Sequence, residues 1–193
     1  MAKRRSLRSL KRAGLEDLAE KCTFDRYECF TPKHKELLQK ARAFVEDDDA
    51  RGMIITGQPG SGKTMLCVAT TVELVKRGRE CAYFLWRRDS SYLKSIIKEA
   101  DQYRKELDRL RDVPVLYVDD LLKGGSTEAD MGLLFTIIND RIIRKSRKTL
   151  ISTELSIQQL LQLDEATGSR VAELCAGYIL NAPNHNYRLE KMN

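Results

Sequence analysis

With 193 residues, 42% of them hydrophobic and 32% charged, the chain is long enough for one domain with a sizeable core and has the composition of an ordinary soluble protein. It holds no apolar run of membrane-spanning length, and the basic start MAKRRSLRSLKRAG leads into no apolar stretch; neither a membrane span nor a secretory leader is expected, and a cytoplasmic address is. The formal charge of +6 sits in residues 1–12, whose six basic groups meet no acidic one, while the remainder balances at 28 against 28, so a polycationic domain is excluded.

Residues 1–20 therefore read as a basic N-terminal tail or linker, open to two uses: a grip on nucleic acid or a solvated terminus. After it, TFDRYECFTP mixes aromatic residues with turn-formers, and residues 33–45 place Leu37, Leu38, Ala41, Phe44 and Val45 on one helical face. The acidic run from Glu46 to Asp49 sits where the helix dipole disfavours it, so the helix is expected to stop there. Gly52 to Thr56 is a short apolar run of the kind buried on both faces of a sheet.

Next comes GQPGSGKT, residues 57–64, which satisfies G-x-x-x-x-G-K-[ST] at Gly57, Gly62, Lys63 and Thr64. Glycines at 57, 60 and 62 let the backbone turn its N–H groups inward around a di- or triphosphate. Gln58, Pro59, Gly60 and Ser61 complete the loop; Lys63 would neutralise the β and γ phosphates, and the Thr64 hydroxyl would hold Mg²⁺. Residues 63–76 read as a helix with Leu66, Ala69, Val72 and Val75 among its buried positions, which places the phosphates at a helix N-terminus. The expected ligands are ATP or ADP with Mg²⁺.

Cys81 to Trp86 reads as the second strand, ended by Arg87, Arg88 and Asp89. Leu93, Ile96, Ile97, Ala100, Tyr103, Leu107 and Leu110 then step by three and four, predicting one long amphipathic helix over residues 90–110. Cys67, Cys81 and Cys175 fall inside apolar runs as small buried hydrophobes do, and no C-x-x-C pair occurs, so neither disulfides nor structural zinc is expected. Val115 to Val118 is a third strand closed by Asp119 and Asp120, the Walker B arrangement of NTPases. Asp119 would hold Mg²⁺ through its water shell and Asp120 would polarise the attacking water, strand alternation giving the adjacent carboxylates separate tasks.

A flexible loop from Lys123 to Ser126 follows, then a helix starting at Thr127 with Met131, Leu134, Phe135, Ile138 and Ile142 as its buried stripe. The basic end of that helix, Arg141, Arg144, Lys145, Arg147 and Lys148, reads first as helix capping and second as a DNA patch. Thr149 to Thr153 is the fourth strand, Ser156 caps a short helix, a second helix lies around Arg170 to Cys175, and Tyr178 to Leu180 is the fifth strand. Strands alternating with helices predict an α/β fold with a parallel sheet covered on both faces.

With both Walker motifs, TLISTELS, GSRVAEL and NYR in this order, the sequence resembles the DnaC/DnaI-type helicase loaders of bacteria and phages, in the AAA+ superfamily of P-loop NTPases. The resemblance runs over residues 20–193 and includes TFDRY, LYVDDLLKGG and DEATGSR. It implies an AAA+ ATPase domain at residues 21–193, with a five-stranded parallel sheet in the order 5-1-4-3-2 and no sizeable lid. It also implies ATP hydrolysis, homo-oligomers assembled side by side, binding of single-stranded DNA and placement of a replicative helicase on it. By position, Arg170 matches the arginine finger that reaches into a neighbour's nucleotide, and Arg188 matches the sensor II arginine.

At the sensor I position Glu154 stands where such proteins carry asparagine; a carboxylate there repels the γ-phosphate, which leaves Thr153 to serve instead or hydrolysis slow. Such proteins usually carry an N-terminal helicase-binding domain, and here about 20 residues are expected to precede the ATPase domain. Three other functions suit the same loop. An IstB-like transposition helper shares the whole domain; a small-molecule P-loop kinase needs a lid for which the chain has no insertion; a nucleotide-dependent scaffold would bind ATP with little turnover.

Overall fold

The computed structural model describes residues 2–144 and 146–187. Residues 2–21 hold two helices, α1 (Ala2–Arg12) and α2 (Glu16–Lys21), which corrects the expectation of a tail. Leu10 and Leu15 are buried, Ser6 Oγ donates to the Val75 carbonyl at 3.1 Å, and Ser9 Oγ accepts from the Cys81 amide at 3.1 Å. Two leucines with a core to enter outweigh the basic charge, of which Arg8, Lys11 and Arg12 stand exposed.

A 3-10 turn at Phe24–Arg26 leads to α3 (Pro32–Glu46), which begins where Thr31 caps the His34 amide and Pro32 needs no amide partner. Then come β1 (Gly52–Thr56), α4 (Lys63–Lys76), β2 (Cys81–Leu85), α5 (Trp86–Ser95) and α6 (Ala100–Asp112). The single helix expected over residues 90–110 is thus two. Asp89 holds the Leu85 amide at 2.8 Å, so a helix starts at Trp86 where a strand end was expected; the Ser95 hydroxyl then takes the Tyr92 carbonyl at 2.7 Å, and the chain turns through residues 96–99. Ile97, expected in the buried stripe, is 58% exposed on that turn.

β3 (Val115–Leu121), α7 (Glu128–Ile143), β4 (Lys148–Thr153), α8 (Ile157–Leu163), α9 (Glu165–Leu174) and β5 (Ile179–Asn181) complete the order. Capping boxes start α7 at Thr127 with Asp130 and α8 at Ser156 with Gln159. Helix α9 starts earlier than expected because Asp164 caps the Thr167 amide. Helix α7 buries Leu133 and Ile137 in addition to its predicted stripe, and leaves Phe135 at the surface.

All strand pairs are parallel, in the order β2-β3-β4-β1-β5, which is 5-1-4-3-2 read from the other edge. A parallel sheet needs cover on both faces. Alternate strand residues accordingly feed two cores: Ile54, Leu116, Val118 and Ile151 meet α5, α6, α7 and α9, while Met53, Ile55, Tyr117 and Leu150 meet α1, α3 and α4. Among the described residues no helix is long and apolar enough to cross a membrane.

Two buried cations close the edge of the sheet where the strands begin. Arg141 donates to the carbonyls of Leu110, Val113 and Lys148 and to Thr149 Oγ1 at 2.7 to 3.0 Å, and Lys148 Nζ donates to the carbonyls of Phe44, Asp47 and Ala50 at 2.5 to 3.2 Å. They thereby cap the C-termini of α6 and α3, whose last carbonyls lack intrahelical partners. Arg144 and Arg147 pair with Asp112, and Lys145 lies outside the described residues. Arg141 and Lys148 are thus capping residues, and the DNA patch weighed against capping loses its two most buried members.

Gly168 lies where α9 crosses α8: a Cβ there would come within 2.6 Å of the Leu161 amide nitrogen. Gly168→Ala is expected to destabilise the fold by about 1–3 kcal/mol through overpacking. A urea midpoint that does not fall would refute this.

Candidate functional site

The chain leaves β1 at Thr56 and enters α4 at Lys63 through a turn in which Gly60 and Gly62 take φ of 78° and 85°, a region that side chains disfavour. The turn brings Lys63 back over its own loop. Its ammonium is buried and donates to the carbonyls of Gly57 at 2.7 Å and Gln58 at 2.8 Å, and among the described residues it has no ion pair. Burial pulls the Lys63 pKa down, with Glu154 and Asp120 opposing that shift. Ser61 Oγ is buried with no hydrogen-bond partner among the described residues. An orphan hydroxyl beside a lysine held only by backbone fits an anionic ligand at the N-terminus of α4.

Opposite the loop stands the end of β3. Its register against β4 shifts between Val118 and Leu121, and Asp120 takes φ of 52°. The strand therefore runs on past the carboxylates, and a bulge, in place of simple alternation, separates their roles. Asp119 turns inward and is 4% exposed; it accepts from Thr64 Oγ1 at 3.1 Å, Tyr83 OH at 2.8 Å, Tyr117 OH at 2.5 Å, Ser152 Oγ and the Asp120 amide. Burial, reinforced by Asp119 itself, pushes both phenols up, so they stay neutral donors.

Tyr83, Tyr117 and Ser152 are absent from the expected site. Tyr117 had a signal, since two residues before Asp119 on one strand means the same face. Tyr83 and Ser152 come from the neighbouring strands, whose pairing no local pattern carries.

Asp120 turns outward into a cleft of about 240 Å³ lined by the loop residues from Pro59 to Met65 and by Lys123, Glu154, Arg26, Glu28 and Tyr187. Lys123 Nζ is 3.1 Å from Asp120 Oδ2 and 3.1 Å from Glu154 Oε1, which removes it from the flexible loop expected there. The Tyr187 amide donates to the Gly60 carbonyl at 3.0 Å and its hydroxyl to the Glu28 carbonyl at 2.5 Å. The segment after β5 is thus tied to the loop and to the turn before α3.

The structure brings together residues 57–64, Asp119 and Asp120. Thr153 does not join them: its buried hydroxyl donates to the Leu121 carbonyl at 2.9 Å and accepts from the Leu155 amide at 3.1 Å, so it is spent on fixing the two strand ends. Glu154, one residue beyond β4, reaches the cleft in its place. Arg170 does not line the cleft; it lies on the exposed side of α9, paired with Glu173 at 2.8 Å. Arg188 lies outside the described residues.

A phosphate loop after β1, a carboxylate pair on β3 and a parallel sheet in this strand order define a P-loop NTP-binding domain of AAA+ type. The chain belongs to the family of IstB-like ATP binding proteins, which it matches over residues 1–172. It is similar to the uncharacterized protein YqaM of Bacillus subtilis (strain 168), 33% identical over 162 residues that cover 81% of this chain and 49% of YqaM. It is also similar to the replicative helicase loader DnaC of Escherichia coli (strain K12), 27% identical over 169 residues that cover 86% of this chain and 67% of DnaC. The chain thus spans about half the length of YqaM and two thirds of DnaC. The crystal structure of DnaI shares the fold, with a TM-score of 0.73 at 21% identity over 89% of this chain and 93% of that one.

Proposed function

We propose that this protein is an ATPase of the DnaC-like helicase-loader type, which binds ATP at residues 57–64, assembles side by side on single-stranded DNA in the cytoplasm and delivers a replicative helicase to it. The hydrogen bond from Thr64 to Asp119, beside a lysine held only by loop carbonyls, is the observation that carries the chemistry. The likeness to DnaC supports the cellular task.

Lys63 would exchange the Gly57 and Gln58 carbonyls for oxygens of the β and γ phosphates. Thr64 and Asp119 are the residues that would hold Mg²⁺, whose charge would offset that of the phosphates. Tyr83, Tyr117 and Ser152 keep the Asp119 carboxylate aimed at Thr64. Asp120, facing the cleft, would orient and polarise the attacking water, and the nucleoside would lie between Arg26, Glu28 and Tyr187. Arg170, exposed on α9, would act in trans on the γ-phosphate of an adjacent subunit.

Millimolar Mg-ADP is expected to raise the melting temperature; at 100 times the dissociation constant the stabilisation is about 2.7 kcal/mol. Lys63→Ala should abolish the response, and a parent melting curve that does not move overturns the proposal. The family description is also compatible with one other reading, an IstB-like transposition helper. Co-purification under ATP with a transposase, and not with a helicase, would select it.

A further inference from the structure

Glu154 presents a problem that the rest of the cleft must solve. It lines the same cleft as Lys63 and Thr64, and Asp120 lines it too, so two carboxylates face the place where a terminal phosphate would sit. Coulomb repulsion between a carboxylate and a phosphate a few ångströms apart works against binding and grows as the site dries. One cation in the cleft answers both carboxylates. Lys123 Nζ lies 3.1 Å from each, in a bridging geometry that pairs all three charges.

The local backbone holds Lys123 in that position. It directly follows the β3 bulge, between Asp120 and Leu122 at φ of 52° and 56° and Gly124 at φ of 91°, and its amide donates to the Asp120 carbonyl at 3.1 Å. Three left-handed residues in a stretch of five are not adopted by chance; they fold the loop back so that position 123 faces the cleft. Burial works to lower the Lys123 pKa, but the hydrogen bonds to Asp120 and Glu154 outweigh it and leave the ammonium charged.

We infer that Lys123 is a positioning residue that selects for nucleoside triphosphate: by pairing with Glu154 and Asp120 it makes a cleft with a carboxylate at the sensor I position acceptable to a γ-phosphate. This rests on the nucleotide site proposed above. A diphosphate lacks the terminal group that these carboxylates would repel and would depend less on the compensation, so loss of Lys123 is expected to penalise ATP more than ADP.

The test is equilibrium binding of a slowly hydrolysed ATP analogue and of ADP, each with Mg²⁺, to the full chain. Lys123→Met is expected to weaken the triphosphate about tenfold relative to the diphosphate, the order of a lost charge pair at partly screened range. Lys123→Arg should keep the parent ratio. Adding Glu154→Gln to Lys123→Met should restore most of the triphosphate affinity, because the repelling charge goes with its partner. A purely structural role for the loop would weaken both nucleotides equally and show no rescue, and that result overturns the inference. A parent protein that binds neither nucleotide overturns the site assignment itself, whereas a parent that binds both, with a Lys123→Met ratio unchanged, overturns the role of Lys123 alone.

Discussion

Arg170→Ala is expected to bind ATP nearly as tightly as the parent and to turn it over about 10³ to 10⁵ times more slowly, the range that arginine fingers contribute in other NTPases. The arginine does not line its own chain's cleft and stands on the outer side of α9, held by a single exposed ion pair to Glu173, so it is free to be drawn to a stronger anion. A guanidinium set against the γ-phosphate of a neighbouring subunit would stabilise charge as the transition state forms, a service that shows in rate and not in affinity. Mixing gives the sharper measurement. A Lys63→Ala subunit still offers Arg170, and an Arg170→Ala subunit still offers its cleft, so the mixture should recover ATPase activity that neither shows alone. A mixture that stays inactive while both variants assemble, or normal hydrolysis by Arg170→Ala, refutes a shared site.

The second large effect is on stability, and lies at the opposite edge of the sheet. Arg141→Met conserves most of the side-chain volume but removes every donor, leaving the carbonyls of Leu110, Val113 and Lys148 and the Thr149 hydroxyl without their partner in a site that is 0% exposed. Each buried polar group left without its partner costs about 1–3 kcal/mol, so the loss of several together is expected to cost about 3 kcal/mol or more. Burial pulls the guanidinium pKa only as far as about 9, so it is charged at neutral pH. Urea unfolding should show the loss directly, with nucleotide affinity unchanged in the fraction that remains folded. If Arg141 instead served a DNA surface, stability would hold and DNA affinity would fall.

The parts of this protein that were legible in its sequence are those whose physics is local. The turn from β1 into α4 could be read because its glycines, Lys63 and Thr64 lie within one turn of chain, and the capped helix starts at Thr127 and Ser156 because the caps close over three residues. The cage around Asp119 was not legible beyond Tyr117, since Tyr83 and Ser152 meet the carboxylate only through strand pairing. The break between α5 and α6 has no proline or glycine to announce it, and the hydroxyl of Ser95 does the work that a breaker would. The basic start misled for a related reason: charge is visible in composition, whereas the burial of Leu10 and Leu15 depends on a helix face and a surface that only the assembled domain provides. Glu154 was legible as an anomaly, and its remedy, Lys123, was hidden in what looked like an ordinary glycine-rich loop.

The strand order also acts as a ruler. β1, β4 and β3 are neighbours, and the phosphate loop, Glu154 and the Asp119–Asp120 pair leave from their ends in that sequence. Parallel strands lie about 4.8 Å apart, so β1 and β3 stand two spacings, roughly 10 Å, apart whatever length of chain is looped out between them, and the first turn of α4 closes that gap by setting Thr64 on Asp119. Segments that only connect rungs, such as the turn between α5 and α6, stand outside that measurement and can lengthen or shorten without rescaling it; a residue added within β3 or β4 would shift one mark on the scale and bring the wrong side chain to the cleft.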